Sequence, residues 1–131
     1  MLDTDVASYI IRDPSVVASS MLATIAPRFV CISSVTRGEL RFGLARNPGA
    51  VRLSTAVHAF LAGIETLPWD DQAADRYGAV RADLEGRGRP IGALDEMIAA
   101  HALSLDATLV TGNTRHFSRV DGLRVTAWRD A

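Results

Sequence analysis

Lysine is absent: all 14 basic residues are Arg. That excludes Schiff-base catalysis, phosphate binding through a P-loop lysine, and every other mechanism built on an ammonium group. Cysteine occurs once, as Cys31 inside the apolar run Phe29-Val30-Cys31-Ile32. One chain can therefore build neither a disulfide framework nor a thiolate metal site, and the thiol reads as a buried hydrophobe. There is no excess of positive charge either. Fifteen acids against 14 bases leave a net charge of -1, without the basic field of a typical nucleic-acid-binding domain. A few acids gathered in one metal site would still leave an Arg-dominated surface. No apolar run approaches the roughly 18 residues that span a bilayer. Met1-Leu2-Asp3-Thr4-Asp5 carries acids where a signal peptide carries bases. The expectation is a soluble, cytoplasmic protein with no membrane contact.

What is present is a foldable composition. With 48% hydrophobic and 22% charged residues over 131 positions, the chain lies in the globular class, and its length predicts a single domain over 1–131. The patterning alternates. Strands are expected at 1–3, 28–32, 64–67, 108–111 and 123–127. Helices are expected at 6–12, 14–26, 36–45, on a face made by Leu53, Val57, Phe60 and Leu61, from Asp70 or Asp71 to Glu85, and from Asp95 to Leu105. Residues 114–118 read as a turn or short helix. Short apolar strands alternating with helices predict an α/β protein whose parallel sheet is covered on both faces.

In such a sheet ligands bind beyond the carboxyl ends of the strands, so the residues that follow each strand carry the information. They are mostly acidic or hydroxylic. Asp3 and Asp5 follow the first strand, Ser33, Ser34 and Thr36 the second with Glu39 one turn on, and Thr111 and Asn113 the strand at 108–111. Asp95 opens the helix leading into that strand. Each has a capping alternative: Thr4 or Asp5 for the first helix, Thr36-Arg37-Gly38-Glu39 as a capping box, and Asp95 as an N-cap. Capping does not account for carboxylates collecting at one edge, where like charges oppose each other's ionisation unless a cation intervenes. Hard cations such as Mg²⁺ and Mn²⁺ take carboxylate and water oxygens, which suits that edge.

Four segments carry a resemblance. They are Leu2-Asp3-Thr4-Asp5, the run Ser34-Val35-Thr36-Arg37-Gly38-Glu39-Leu40-Arg41-Phe42-Gly43, Ile91-Gly92-Ala93-Leu94-Asp95-Glu96-Met97-Ile98-Ala99-Ala100-His101, and Leu109-Val110-Thr111-Gly112-Asn113-Thr114-Arg115-His116-Phe117. In order and content they resemble the motifs of the PIN-domain family, and most closely the VapC toxins of bacterial type II toxin-antitoxin pairs. The likeness runs from residue 1 to about Trp128, including Leu67-Pro68-Trp69-Asp70 and Gly122-Leu123-Arg124-Val125. It implies a three-layer α/β/α sandwich around a parallel sheet and a Mg²⁺-dependent endoribonuclease, with Mn²⁺ as substitute ion. It further implies a cognate VapB-like antitoxin, a homodimer, and contact with operator DNA only through the antitoxin.

By the same resemblance Asp3, Glu39 and Asp95 are the family acids and Asn113 the polar position after the last motif strand. Asp3 and Asp95 would hold the metal, while Glu39 and Asn113 would order water for in-line attack, leaving a 5′-phosphate and a 3′-hydroxyl. Many relatives carry an acid where this chain has His116. His116, Asp5 and Thr111 are expected around the metal ligands. Arg37 and Arg41, four apart on the Glu39 helix, are candidates for RNA phosphate, with a solvated helix face as the alternative. Arg87 and Arg89 are looser candidates for RNA or antitoxin contact. His58 and His101 read as surface or core residues, and Tyr9, Ile10 and Ile11 as either an antitoxin groove or core. Two rivals stand beside this reading. Asp3-Thr4-Asp5-Val6 also matches a haloacid-dehalogenase-like phosphohydrolase, although the lysine usual there is missing. The other rival is a non-catalytic PIN module that binds antitoxin and operator.

Overall fold

The computed structural model describes residues 1–129. Its strands are β1 (Cys31–Ser33), β2 (Glu65–Leu67), β3 (Leu109–Thr111) and β4 (Val125–Ala127). β1 pairs with β2 and β3 with β4, both in parallel. Leu2 makes parallel bridges to Ile32 and to Val110. This single residue joins the two pairs into one parallel sheet, in the order β2-β1-Leu2-β3-β4.

The helices are α1 (Thr4–Arg12), α2 (Ser34–Ala45), α3 (Val51–Gly63), α4 (Asp71–Gly86), α5 (Ala93–Ser104) and α6 (Thr114–Phe117). Successive strand residues send side chains to opposite faces, and the core divides accordingly. Met1, Cys31, Leu109 and Val125 pack with Leu84 of α4, Ile98 of α5 and Phe117 of α6. Leu2, Ile32 and Val110 pack with Val6 and Ile10 of α1, Leu40 of α2 and Val57 of α3. Helices therefore cover both faces, as the alternating pattern predicts. Among the described residues no helix is long and apolar enough to cross a membrane.

Local chemistry moves several boundaries. The helix expected at 14–26 is two 3-10 segments, Pro14–Ser19 and Met21–Thr24. Ser20 is extended between them, its hydroxyl donating to the Val17 carbonyl at 2.8 Å and accepting from the Leu22 amide at 3.1 Å. That local bonding competes with helix continuation. The strand expected at 28–32 begins only at Cys31, because Pro27–Phe29 form another 3-10 turn. α2 starts two residues before Thr36, capped by Ser33, so Thr36 lies inside the helix and no capping box forms. α5 begins at Ala93 after Gly92, whose φ of 99° favours glycine. Asp95 thus falls within the first turn and does not cap it.

Candidate active site

Asp3 closes the Leu2 bridge and is only 4% exposed. One of its oxygens accepts the Val6 amide at 2.8 Å, which caps α1, and the other accepts the Thr111 hydroxyl. Capping and site geometry coincide in this one side chain. Burial pushes the Asp3 carboxyl above its ordinary range; the bonds from Thr111 and Val6 oppose that, and the charges of Asp5 and Asp95 add to it.

Asp95 approaches from α5 and is half-buried. Its Oδ2 lies 3.0 Å from His116 Nε2. Burial also raises the Asp95 carboxyl, against the His116 bond and charge, with Asp5 adding again. Asp5 is exposed and acts on both acids through its charge.

A hydrogen-bonded chain connects the two acids. The Thr111 hydroxyl donates to Asp3 and accepts the Asn113 amide at 2.9 Å. Asn113 Oδ1 caps α6 by accepting the His116 amide at 3.2 Å, and His116 reaches Asp95. Asn113 Oδ1 thus holds the α6 turn, and the side-chain amide of Asn113 makes no hydrogen bond among the described residues. On the other flank, the Thr4 hydroxyl donates to Glu39 Oε1 at 2.6 Å and lies 3.0 Å from the Thr36 hydroxyl. Sequence reasoning missed Thr4 and Thr36 in this role; the signal was a threonine one residue after Asp3 and another three before Glu39.

The arginines point elsewhere. Arg37 reaches the Thr66 hydroxyl at 3.5 Å, and Arg41 reaches His58 Nε2 at 3.0 Å, while His58 Nδ1 lies 2.7 Å from the Ser54 carbonyl. Neither guanidinium is bonded to the acids. Arg87 pairs with Asp83 at 2.7 Å and bonds the Arg119 carbonyl, while Arg89 is exposed. His101 is buried, its Nδ1 2.8 Å from the Ser33 hydroxyl that caps α2. It ties α5 to the β1 edge, and burial lowers its pKa. Ile10 and Ile11 are core residues, while Tyr9 is 41% exposed and packs edge-on against Trp128.

The donors fit a hard divalent ion. Two desolvated carboxylates share the edge, and each has a raised pKa that a cation would relieve. Among the described residues no three His, Cys, Asp and Glu side chains gather tightly enough to hold an ion alone. Mg²⁺ usually takes one or two carboxylates and keeps several waters, so the arrangement is of the kind it uses.

The model of the PIN domain matches residues 1–123. A tRNA(fMet)-specific endonuclease VapC from Shigella flexneri is 38% identical over 98% of this chain and 96% of its own length. A DNA-bound VapBC structure from Salmonella typhimurium superposes with a TM-score of 0.86 at 34% identity, covering 98% of this chain and 96% of that one. VapBC2 from Rickettsia felis, bound to a promoter fragment, superposes with a TM-score of 0.81 at 28% identity, covering 98% and 97%. Motif order, fold and relatives agree, and the chain belongs to the PIN-domain family, in its VapC branch.

Proposed function

We propose that this protein is the toxin of a VapBC-type pair and a divalent-metal-dependent endoribonuclease. The observation that carries the reading is the pair of desolvated carboxylates, Asp3 and Asp95, joined by hydrogen bonds at the carboxyl edge of a parallel sheet. A bound Mg²⁺ supplies positive charge for the phosphate and acidifies water. Asp3 and Asp95 would hold the ion. Thr111 keeps Asp3 in place, and Thr4 occupies one oxygen of Glu39, leaving the other to orient the attacking water and receive its proton. Asn113 holds the α6 turn beside them. The scheme uses no ribose 2′-hydroxyl and leaves a 5′-phosphate and a 3′-hydroxyl.

The phosphohydrolase rival needs Asp3 as a free nucleophile. The lysine usual at such a site is missing from a chain whose 14 basic residues are all Arg, and the similar proteins are named VapC nucleases, which together argue against that role. A VapB-like antitoxin is the proposed partner, because the solved relatives are VapBC complexes. Operator DNA is reached through that antitoxin, and the toxin itself is a homodimer in the cytoplasm. Initiator tRNA is the first RNA to try, since the Shigella relative is named for it.

The test is to incubate purified, antitoxin-free protein with total RNA and with initiator tRNA, with Mg²⁺ or chelator, and to map the ends. Metal-dependent cuts with 5′-phosphates are expected. Intact RNA in every condition, from folded protein that still binds antitoxin, would favour the non-catalytic module.

A further inference from the structure

His116 stands immediately before Phe117, where the family resemblance implies an acid, and its ring is aimed into the site. We propose that His116 Nε2 is a direct ligand of the divalent ion and that this nitrogen donor shifts the centre's preference from Mg²⁺ toward Mn²⁺. The proposal rests on the metal-dependent reading above and specifies the ion for it.

The geometry is that of two adjacent ligands. His116 Nε2 and Asp95 Oδ2 are 3.0 Å apart. Neighbouring donors around an octahedral ion, each about 2.1 Å from it, are themselves about 3.0 Å apart. An ion can therefore replace the hydrogen bond with little movement of either side chain. The imidazole is also held in orientation. Asn113 fixes its backbone amide at 3.2 Å, and the ring stands edge-on to buried Phe117, with centroids 5.3 Å apart and planes at 88°. A residue that served only to pack this turn would not need its distal nitrogen directed at a carboxylate. Nδ1 makes no hydrogen bond among the described residues, so it can carry the ring proton and leave the Nε2 lone pair for the ion. Neutral imidazole is the ligating form of histidine.

Donor type then selects the ion. Mg²⁺ favours an all-oxygen shell and gives up water reluctantly, whereas a first-row transition ion binds a mixed nitrogen and oxygen set more readily. The adjacent pair His116 and Asp95 supplies one nitrogen and one carboxylate oxygen, Asp3 stands outside that pair in the metal-free fold, and with waters completing the shell Mn²⁺ suits the mixture.

The test loads the full chain, free of antitoxin, with Mn²⁺ and records the pulsed EPR echo modulation. Nitrogen-14 modulation from one imidazole is expected in the wild type. It should persist in His58→Ala and vanish in His116→Glu. Competition of Mg²⁺ against Mn²⁺, read from the free Mn²⁺ signal, should shift toward Mg²⁺ by about tenfold or more in His116→Glu. Bound Mn²⁺ without nitrogen modulation in the wild type overturns the proposal and leaves the metal-site reading standing; so does modulation that survives His116→Glu. If wild-type protein binds no Mn²⁺, or binding is unaffected by Asp3→Asn and Asp95→Asn, the metal-site reading itself falls and the proposal with it. The wild-type spectrum requires no variant to fold.

Discussion

Asp3 is buried with each oxygen taken by a neutral donor, the Val6 amide and the Thr111 hydroxyl, whereas Asp95 is half-exposed and meets a single side-chain partner in His116. The first acid is built into the fold, since it also caps α1. The second stands on the first turn of α5, and its partner is a side chain that an incoming ion can engage. The Asp3 side chain is thus held by the sheet and by α1, whereas Asp95 rests on one contact between side chains. The Thr111-Asn113-His116 chain connects the two halves without making them alike.

Removing either acid should have the largest effect and make the halves look equal. Asp3→Asn and Asp95→Asn should each lower metal-dependent RNA cleavage by about 100-fold or more. Quantified cutting of a labelled RNA at limiting Mg²⁺ or Mn²⁺ is the measurement, and near-normal rates in one variant would confine the site to the other half.

Stability should separate the halves again. Thr111→Val removes the donor to buried Asp3 and the acceptor of the Asn113 amide, and should destabilise the metal-free protein by about 1–3 kcal/mol. His116→Ala removes the corresponding partner of half-exposed Asp95 and should change stability by no more than about 0.5 kcal/mol. Urea denaturation in chelator measures both, and equal losses would mean that Asp95 is as deeply committed to the fold as Asp3.

The pH dependence of Asp3→Asn gives a sign. Because the folded-state pKa of Asp3 is raised above its ordinary 3.8, its ionised form weakens the metal-free fold at neutral pH. That penalty is fully present above the raised value and is relieved as pH falls through it toward 3.8. Asparagine keeps the cap and removes the charge. The variant should therefore melt above wild type in chelator at pH 7, with the gap closing under acid; a variant that melts lower at pH 7 would show that the carboxylate's hydrogen bonds outweigh its burial.

His101 has the smallest predicted effect and the opposite sign. Burial lowers its pKa below 6.5, so its contribution is complete above pH 6.5 and declines as pH falls toward the lowered value. A His101→Asn variant should show a flatter fall in melting temperature between pH 7 and about pH 5 than wild type, as followed by circular dichroism. Parallel curves would remove His101 from the acid response.

Much of the site was legible because its residues follow apolar strands. Asp3 after Leu2, Thr111 at the end of β3, and Glu39 in α2 are all candidates by position and residue type. The capping alternatives separated only in three dimensions. Asp3 itself caps α1 in place of Thr4 or Asp5; Ser33 caps α2 in place of Thr36; and Asp95 caps nothing. Asn, Asp, Ser and Thr all make good caps, so composition cannot choose among adjacent candidates. At 14–26 the pattern and the structure differ for a related reason: Val17, Met21 and Ile25 keep helical spacing, but Ser20 bonds its own neighbours across the break.

Alternating apolar segments were sufficient to specify a parallel α/β sheet with helices on both faces, because strand and helix periods are written in neighbouring residues. Motif order was sufficient to specify the family and to nominate Asp3, Glu39 and Asp95 as its acids. Where Arg37 and Arg41 point, which hydroxyls hold Glu39, and the bonded path from Asp3 to Asp95 were settled by the folded chain. Those contacts join residues as far apart as 3 and 111 in the sequence. Their distances depend on how a single bridging residue, Leu2, draws two strand pairs into one sheet.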